Sequence, residues 1–143
     1  MSEKNKVIAR RIFEEIWNQG NLAVADEILD ASYAAHGLAA GLPPGPEGFK
    51  QFVSIYRTAF PDVHFTIEEQ IAEEDKVVNR WTARGTHKGE LMGIPATGKE
   101  AVVTGVSINR FVGDKMVEAW NNWDGLGMMQ QLGVIPMPEQ AGT

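Results

Sequence analysis

Cysteine is missing from all 143 residues of the chain. That excludes a disulfide framework, a thiolate nucleophile and a Cys-ligated zinc or iron–sulfur site, and it suits a reducing cytoplasm. Histidine is scarce as well: His36, His64 and His87 share no metal-ligand spacing, so no metal centre is expected. No apolar run approaches the ~20 residues of a membrane span. The charged start, Met1-Ser2-Glu3-Lys4-Asn5-Lys6, lacks the apolar core of a secretion signal. Lys and Arg number 13 against 19 Asp and Glu, a net charge of −6, with no basic stretch of five or more. Nucleic acid is not expected as a partner, because phosphate binding needs clustered cations. There is no Gly-rich phosphate loop and no Gly-x-Ser-x-Gly elbow, so nucleotide binding and serine-hydrolase chemistry are set aside. Small molecules or protein partners remain.

What is present is a chain 43% hydrophobic, without internal repeat or low-complexity segment, read as one domain over residues 1–143. At this length roughly 70% of the unfolded surface is buried, enough for a core without staples. Val7, Ile8, Ile12, Phe13, Ile16 and Trp17 recur at helical spacing, and Asn18 to Asn21 end that helix. A short second helix carries Leu22, Ala25, Ile28 and Leu29, followed by a loop that is rich in Gly and Pro from Gly37 to Pro46. Pro46 suits the first turn of a third helix with Phe49, Phe52, Val53, Tyr56 and Phe60 on its buried stripe. After Pro61 the period falls to two. Strands are expected around residues 63–71, from Val77 to His87, from Ala101 to Val112 and from Met116 to Asp124, with a hairpin turn at Gly113-Asp114 and a helical turn from Gly125 to Gly133. Helices first and antiparallel strands after is the α+β pattern.

With strict register around Gly113-Asp114, one face of the last hairpin carries Ser107 and Asn109 opposite Asn122, Trp120, Glu118 and, at its end, Asp124. The other face carries Val106 and Ile108 with Ala119 and Trp123. Polar groups converging beside a Trp are the character of a ligand site, although such a face also suits water, and a single bulge exchanges the two faces. A carboxylate at the mouth of an apolar cavity has its charged form disfavoured by desolvation, which suits Asp124 to a proton acceptor. Asp124 is equally placed to cap the helical turn that follows. His36, beside the Gly/Pro loop, belongs to the residue type that carries protons near neutral pH. On the second strand either Arg80 or Trp81 faces the pocket, according to the length of the turn at Glu73 to Lys76, and His87 shares that ambiguity.

Several stretches carry a family likeness: His36, Pro44-Gly45-Pro46-Glu47-Gly48-Phe49, Ala59-Phe60-Pro61-Asp62, Arg80-Trp81-Thr82, Gly85-Thr86-His87-Lys88-Gly89-Glu90, Gly93-Ile94-Pro95-Ala96-Thr97-Gly98-Lys99 and the run from Trp120 to Gly133. Over residues 5–134 the chain resembles the SnoaL-like polyketide cyclases, or ester cyclases. The resemblance implies a fold of the nuclear transport factor two type, a cone of curved antiparallel sheet covered by N-terminal helices that close a pocket. It also implies a homo-oligomer, dimer or tetramer, packed through sheet faces, for which Val106, Ile108, Ala119 and Trp123 are the candidate surface. In such cyclases an Asp at the end of the last strand removes a proton α to a carbonyl, with no metal or organic cofactor, and Asp124 matches it. The supporting histidines of the family are replaced here by Asn122 and by Asn109 or Ser107, and asparagine orients a carbonyl without shuttling a proton.

The resulting expectation is a cofactor-independent cytoplasmic enzyme of cyclase, isomerase or lyase type on a small aromatic or hydrophobic substrate, with no nucleic acid or membrane partner. Asp124 is its base, His36 assists, and Arg80 and Asn122 hold a carbonyl oxygen. Trp17, Tyr56 and Trp120 form apolar walls, Asn109, Glu118 and His87 complete the substrate contacts, and the loop from Gly37 to Gly45 acts as a lid. The other readings are a non-catalytic binder of a hydrophobic metabolite and an epoxide-hydrolase or isomerase variant of the fold. For the latter, Arg80-Trp81-Thr82 lacks the Asp of an Arg-x-Asp pair and the first helix has no Tyr.

Overall fold

Two adjacent apolar pairs four residues apart, Ile12-Phe13 and Ile16-Trp17, shape the N-terminal helix. In the computed structural model, which describes residues 2–39 and 41–136, α1 (Ser2–Arg11) runs on into a wider π-helical turn, Ile12–Trp17. There the backbone bonds five residues back, as from Asn18 N–H to the Phe13 carbonyl (3.0 Å), and both pairs are buried. Glu3 in the first turn and Arg10 and Arg11 in the last oppose the helix dipole. Asn18 then docks the helix on the sheet, its amide donating to Phe65 O (3.0 Å) and accepting from Phe65 N–H (2.7 Å).

After α2 (Ala23–Ile28) the chain enters β1 (Leu29–His36), where a loop was expected. The Gly/Pro segment leads to α3 (Gly45–Ala59), with Pro46 in its first turn and Phe49, Phe52 and Val53 buried. Four further strands follow: β2 (His64–Glu73), β3 (Lys76–Thr86), β4 (Glu100–Val112) and β5 (Lys115–Trp123); α4 (Gly125–Gln131) closes the order. All belong to one curved five-stranded sheet, ordered β1-β5-β4-β3-β2, so the architecture is α+β with N-terminal helices covering the sheet. The sheet is antiparallel except that β1 pairs parallel to β5, a departure from the all-antiparallel expectation.

A bulge between Arg110 and Phe111 sets the register of the last hairpin. Val112 pairs with Lys115 and Phe111 with Met116, but Arg110 then pairs with Glu118, leaving Val117 as the extra residue. From there on Asn109 lies opposite Ala119, Ser107 opposite Asn121 and Gly105 opposite Trp123. The two faces of β5 are therefore exchanged relative to the strict-register expectation. A second bulge, between Ile67 and Glu69 of β2, pairs Glu69 with Arg80 on the outer side and turns Trp81 inward.

Asp62 ties the entry of β2 to the end of β3, accepting from Thr86 N–H (2.7 Å) and the Thr86 hydroxyl (2.8 Å). The Thr86 backbone bond, more than any other contact, holds this carboxyl below its ordinary value. A lowered folded value adds stability above the ordinary carboxylate range and loses it as pH falls through that folded value. Asp62→Asn should accordingly cost about 0.5–1 kcal/mol at pH 7, the Asp side chain being largely in water. The stability difference between the two proteins should shrink as the pH falls below the ordinary carboxylate range, and a difference that stays constant through that fall would show that the carboxylate charge contributes nothing.

Candidate active site

The inner face of β4 carries Ala101, Val103, Gly105, Ser107, Asn109 and Phe111, all buried. Over its centre lies the Trp81 indole. A Cβ added at Gly105 would sit 2.3 Å from that ring, so only glycine leaves the ring its place. From there Trp81 Nε1–H reaches the Ser107 hydroxyl (3.0 Å). Trp17 from the π-turn, Phe49, Phe52 and Tyr56 from α3, and Trp123 from β5 enclose a cavity of about 100 Å³ against this face. Leu38, from the segment expected to be a lid, lines it too. The segment is anchored at Gly37 (φ +85°), where a Cβ would fall 2.0 Å from the Asn121 carbonyl.

The cavity walls are aromatic, and their polar groups are few: the neutral Ser107, Asn109, Asn121 and the phenols Tyr33 and Tyr56, with one cation, the exposed Arg84. Burial pushes the Tyr56 hydroxyl up to about 12 and raises that of Tyr33 too, so both stay protonated at neutral pH. Among the described residues the lining contains no carboxylate and no imidazole. Nor does any group of three or more His, Cys, Asp or Glu among them stand where it would hold a metal ion.

Of the residues selected from the sequence, Trp17, Tyr56 and Asn109 line the cavity, and Ser107 and Trp81, named but not selected, stand with them. The bulge turns Asn122, Trp120 and Glu118 to the outer side of the sheet, away from Ser107 and Asn109, and brings Asn121 and Trp123 inward in their place. The surface proposed for packing sheet faces changes likewise, since Ala119 is buried and Trp123 lines the cavity, while Val106 and Ile108 remain outside with Trp120. Arg80 is exposed and paired with Glu69 (2.9 Å), not aimed into the pocket. His36 also stands outside, bonded to Glu118 (2.8 Å) and stacked on Trp120 with ring centroids 5.7 Å apart. The His36 bond, and after it Arg110, holds the Glu118 carboxyl below its ordinary value.

His87 is fully buried but does not line the cavity; it stacks on Phe60 (5.4 Å), and its Nδ1 accepts from Thr97 N–H (3.2 Å). Its Nε2 is a sealed atom without a partner. Asp124 follows the cavity-lining Trp123 directly and is exposed. Its Oδ1 accepts from Gly127 N–H (2.8 Å), making it the N-cap of α4, and its own N–H bonds the Thr104 carbonyl (3.1 Å). Of the two roles open to Asp124, the cap is the one realised in this geometry. The residues that the sequence reading passed over, Asn121 and Trp123 above all, had one signal. Met116 and Ala119 are spaced by three before the period of two resumes at Asn121 and Trp123, which marks the extra residue.

Comparison with known proteins identifies the family and the fold. The family described as SnoaL-like polyketide cyclase matches residues 7–132. The nogalonic acid methyl ester cyclase of Streptomyces nogalater is 30% identical over 129 residues, 88% of this chain and 95% of that protein. Among solved structures, IdmH of Streptomyces antibioticus is 30% identical with a TM-score of 0.77, over 91% of this chain and 99% of its own. TsrD of Streptomyces laurentii, 24% identical, shares the fold with a TM-score of 0.84, over 93% of this chain and 97% of that one. No helix among the described residues is long and apolar enough to cross a membrane.

Proposed function

The chain belongs to the SnoaL-like polyketide cyclases, and on that premise we propose that it is a cofactor-independent enzyme closing a ring on a small aromatic or polyketide-like carbonyl substrate. The observation that carries the reading is the aromatic cavity itself, ending in a few neutral hydrogen-bonding groups and followed at once, after Trp123, by a carboxylate. In the reaction Asp124 takes a proton from a carbon α to a carbonyl. The carbanion attacks a second carbonyl carbon of the same molecule, and the resulting alkoxide is protonated, so atoms balance without a co-reactant. Trp17, Tyr56 and Trp123 hold the ring system. At about 100 Å³ the cavity, which opens to the surface, is smaller than the roughly 150 Å³ that accepts benzene in an apolar core, so an aromatic ligand, single-ring or fused, is seated by displacing the Leu38 segment, which acts as a lid.

A second reading, a binding protein for a hydrophobic metabolite, is favoured by one observation: Asp124 is engaged as a cap, and the described lining offers no other base. A thermal-shift screen of aromatic ketones, anthraquinone esters, epoxides and steroids tests the two together, because a ligand held only by the folded state raises Tm. Aromatic ketones or esters that raise Tm and are converted, followed by chromatography with mass detection, support the enzyme. Ligands that raise Tm and are never converted support the binder. The same proposal takes Val102, Val106, Ile108 and Trp120 on the outer sheet face as the surface for a second copy, and the cytoplasm as the setting, which a chain without cysteine suits.

A further inference from the structure

The polar end of the cavity is wired in one direction. Arg10 donates from Nη2 to Gln70 Oε1 (3.1 Å), and a guanidinium has no acceptor, so the amide oxygen of Gln70 must face it. Gln70 Nε2 donates to the Lys6 carbonyl (3.2 Å), which only accepts, and with its other hydrogen to Asn79 Oδ1 (2.8 Å). Asn79 is fully buried, so its Nδ2 donates onward, to Asn109 Oδ1 at 2.6 Å. Each amide orientation is thus dictated by the one before it, starting from a cation. What remains at the end of the chain is the Asn109 NH2, which has no protein acceptor among the described residues and is not among the sealed, unpartnered atoms. Asn109 lines the cavity, and with its Oδ1 engaged by Asn79 and its NH2 not sealed, the NH2 is the group left to face that cavity.

Ser107, two residues away on the same face, has the same polarity for a separate reason. The Trp81 indole is a donor only, so the Ser107 oxygen accepts from it and the hydroxyl hydrogen is left over. Hydrogen bonds in series inside a low-dielectric core polarise one another, which strengthens the last donor.

We propose that Ser107 and Asn109 form a donor-presenting end of the cavity that selects ligands carrying a carbonyl or ionised hydroxyl oxygen, with Gln70, Asn79 and Trp81 as positioning residues that set this polarity. The inference deepens the reading of the cavity as a carbonyl-substrate site and rests on it. Ser107 lies three residues along β4 from Thr104, the residue bonded by Asp124, so the donor end stands about 10 Å from Asp124. The oxygen it holds is remote from the carbon that Asp124 deprotonates, and the pair sets specificity without acting on the reacting atoms.

The probe pair is acetophenone and its hydrocarbon isostere α-methylstyrene, titrated by NMR, with the infrared carbonyl stretch of bound 13C-labelled acetophenone as the second readout. The wild type should bind both, with the ketone stretch at lower frequency than in hexane. Gln70→Glu touches nothing in the cavity, yet a carboxylate paired with Arg10 only accepts. Asn79 and then Asn109 must turn over, and an oxygen replaces the donor. The ratio of ketone to hydrocarbon affinity should fall about tenfold, in Gln70→Glu and in Ser107→Ala alike, with the stretch moving back toward its hexane value. A wild-type stretch equal to that in hexane, or a ratio unmoved by both variants, overturns the donor end while leaving the cavity reading in place. If neither probe binds, both fall. Because the wild-type spectrum is decisive by itself, a variant that fails to fold does not protect the proposal, and a merely structural role for Gln70 would leave the stretch where it was.

Discussion

Asp124→Asn is expected to lower turnover of a converted substrate by at least about 100-fold while leaving Tm almost unchanged. The two halves of that expectation come from different properties of one side chain. Asn caps a helix as well as Asp does, so the bond from Gly127 N–H to the side-chain oxygen survives the substitution and α4 keeps its start. What is lost is the ability to take up a proton. Asp124→Ala removes both and should cost about 1 kcal/mol of stability in addition to the rate. Comparing the two variants in a single-turnover assay, beside their melting curves, separates the base from the cap. Full turnover in Asp124→Asn would show that the carboxylate is structural and would move the weight to the binding-protein reading. That outcome is sharpened by the exposure of Asp124 in the free protein, where water and not the cavity surrounds it. The enzyme reading requires a seated substrate to cover it, and Trp123, lining the cavity one residue earlier, is the surface against which that happens.

Legibility of the fold followed the strength of its periodicities. Helices α1 and α3 and strands β3 and β4 were readable because each buries one face at its own period, as Phe49, Phe52 and Val53 do in α3 and as every second residue does in β4. Elements β2 and β5 were readable as strands although a bulge breaks the period of each. Strand β1 was not. Its sequence, Leu29-Asp30-Ala31-Ser32-Tyr33-Ala34-Ala35-His36, contains no β-branched residue, and it buries only Leu29 and Tyr33, four apart, which reads as helix or loop. It is a strand because the edge of β5 offers a parallel partner, a tertiary fact without a local signature. The site was half legible for a similar reason. Ser107 and Asn109 could be placed because β4 alternates without a break, whereas β5 loses its parity at Val117, and every residue beyond that point changes sides. One bulge therefore decided that Asn121 and Trp123, rather than Asn122, Trp120 and Glu118, belong to the cavity. The resemblance to a family carried the fold across both gaps and could not carry the register.

Trp17→Ala is expected to cost about 3–5 kcal/mol and to lower Tm by roughly 10–20 °C, the largest stability effect foreseen for a single substitution at this site. The indole is 6% exposed and sits among Phe49, Phe52 and Phe65, with ring centroids 6.4, 6.0 and 4.7 Å away. Two of these contacts are edge-on to rings of α3 and one is a tilted contact with β2, so the side chain joins helix, sheet and the π-turn that holds it. Truncation removes transfer free energy and leaves a void, which here merges with a cavity that already exists. The same void makes a second prediction about the same variant. Added indole should raise the Tm of Trp17→Ala more than that of the wild type, because only the variant has an indole-shaped vacancy in its apolar wall that needs no displacement to fill. A Tm loss of a few degrees with no indole response would mean that α3 and β2 close over the gap. The cavity would then be a deformable seam between them and not a shaped receptor. A large loss reversed by indole would establish that the aromatic walls hold their places without the side chain, which is the property a site must have to orient a flexible substrate for ring closure.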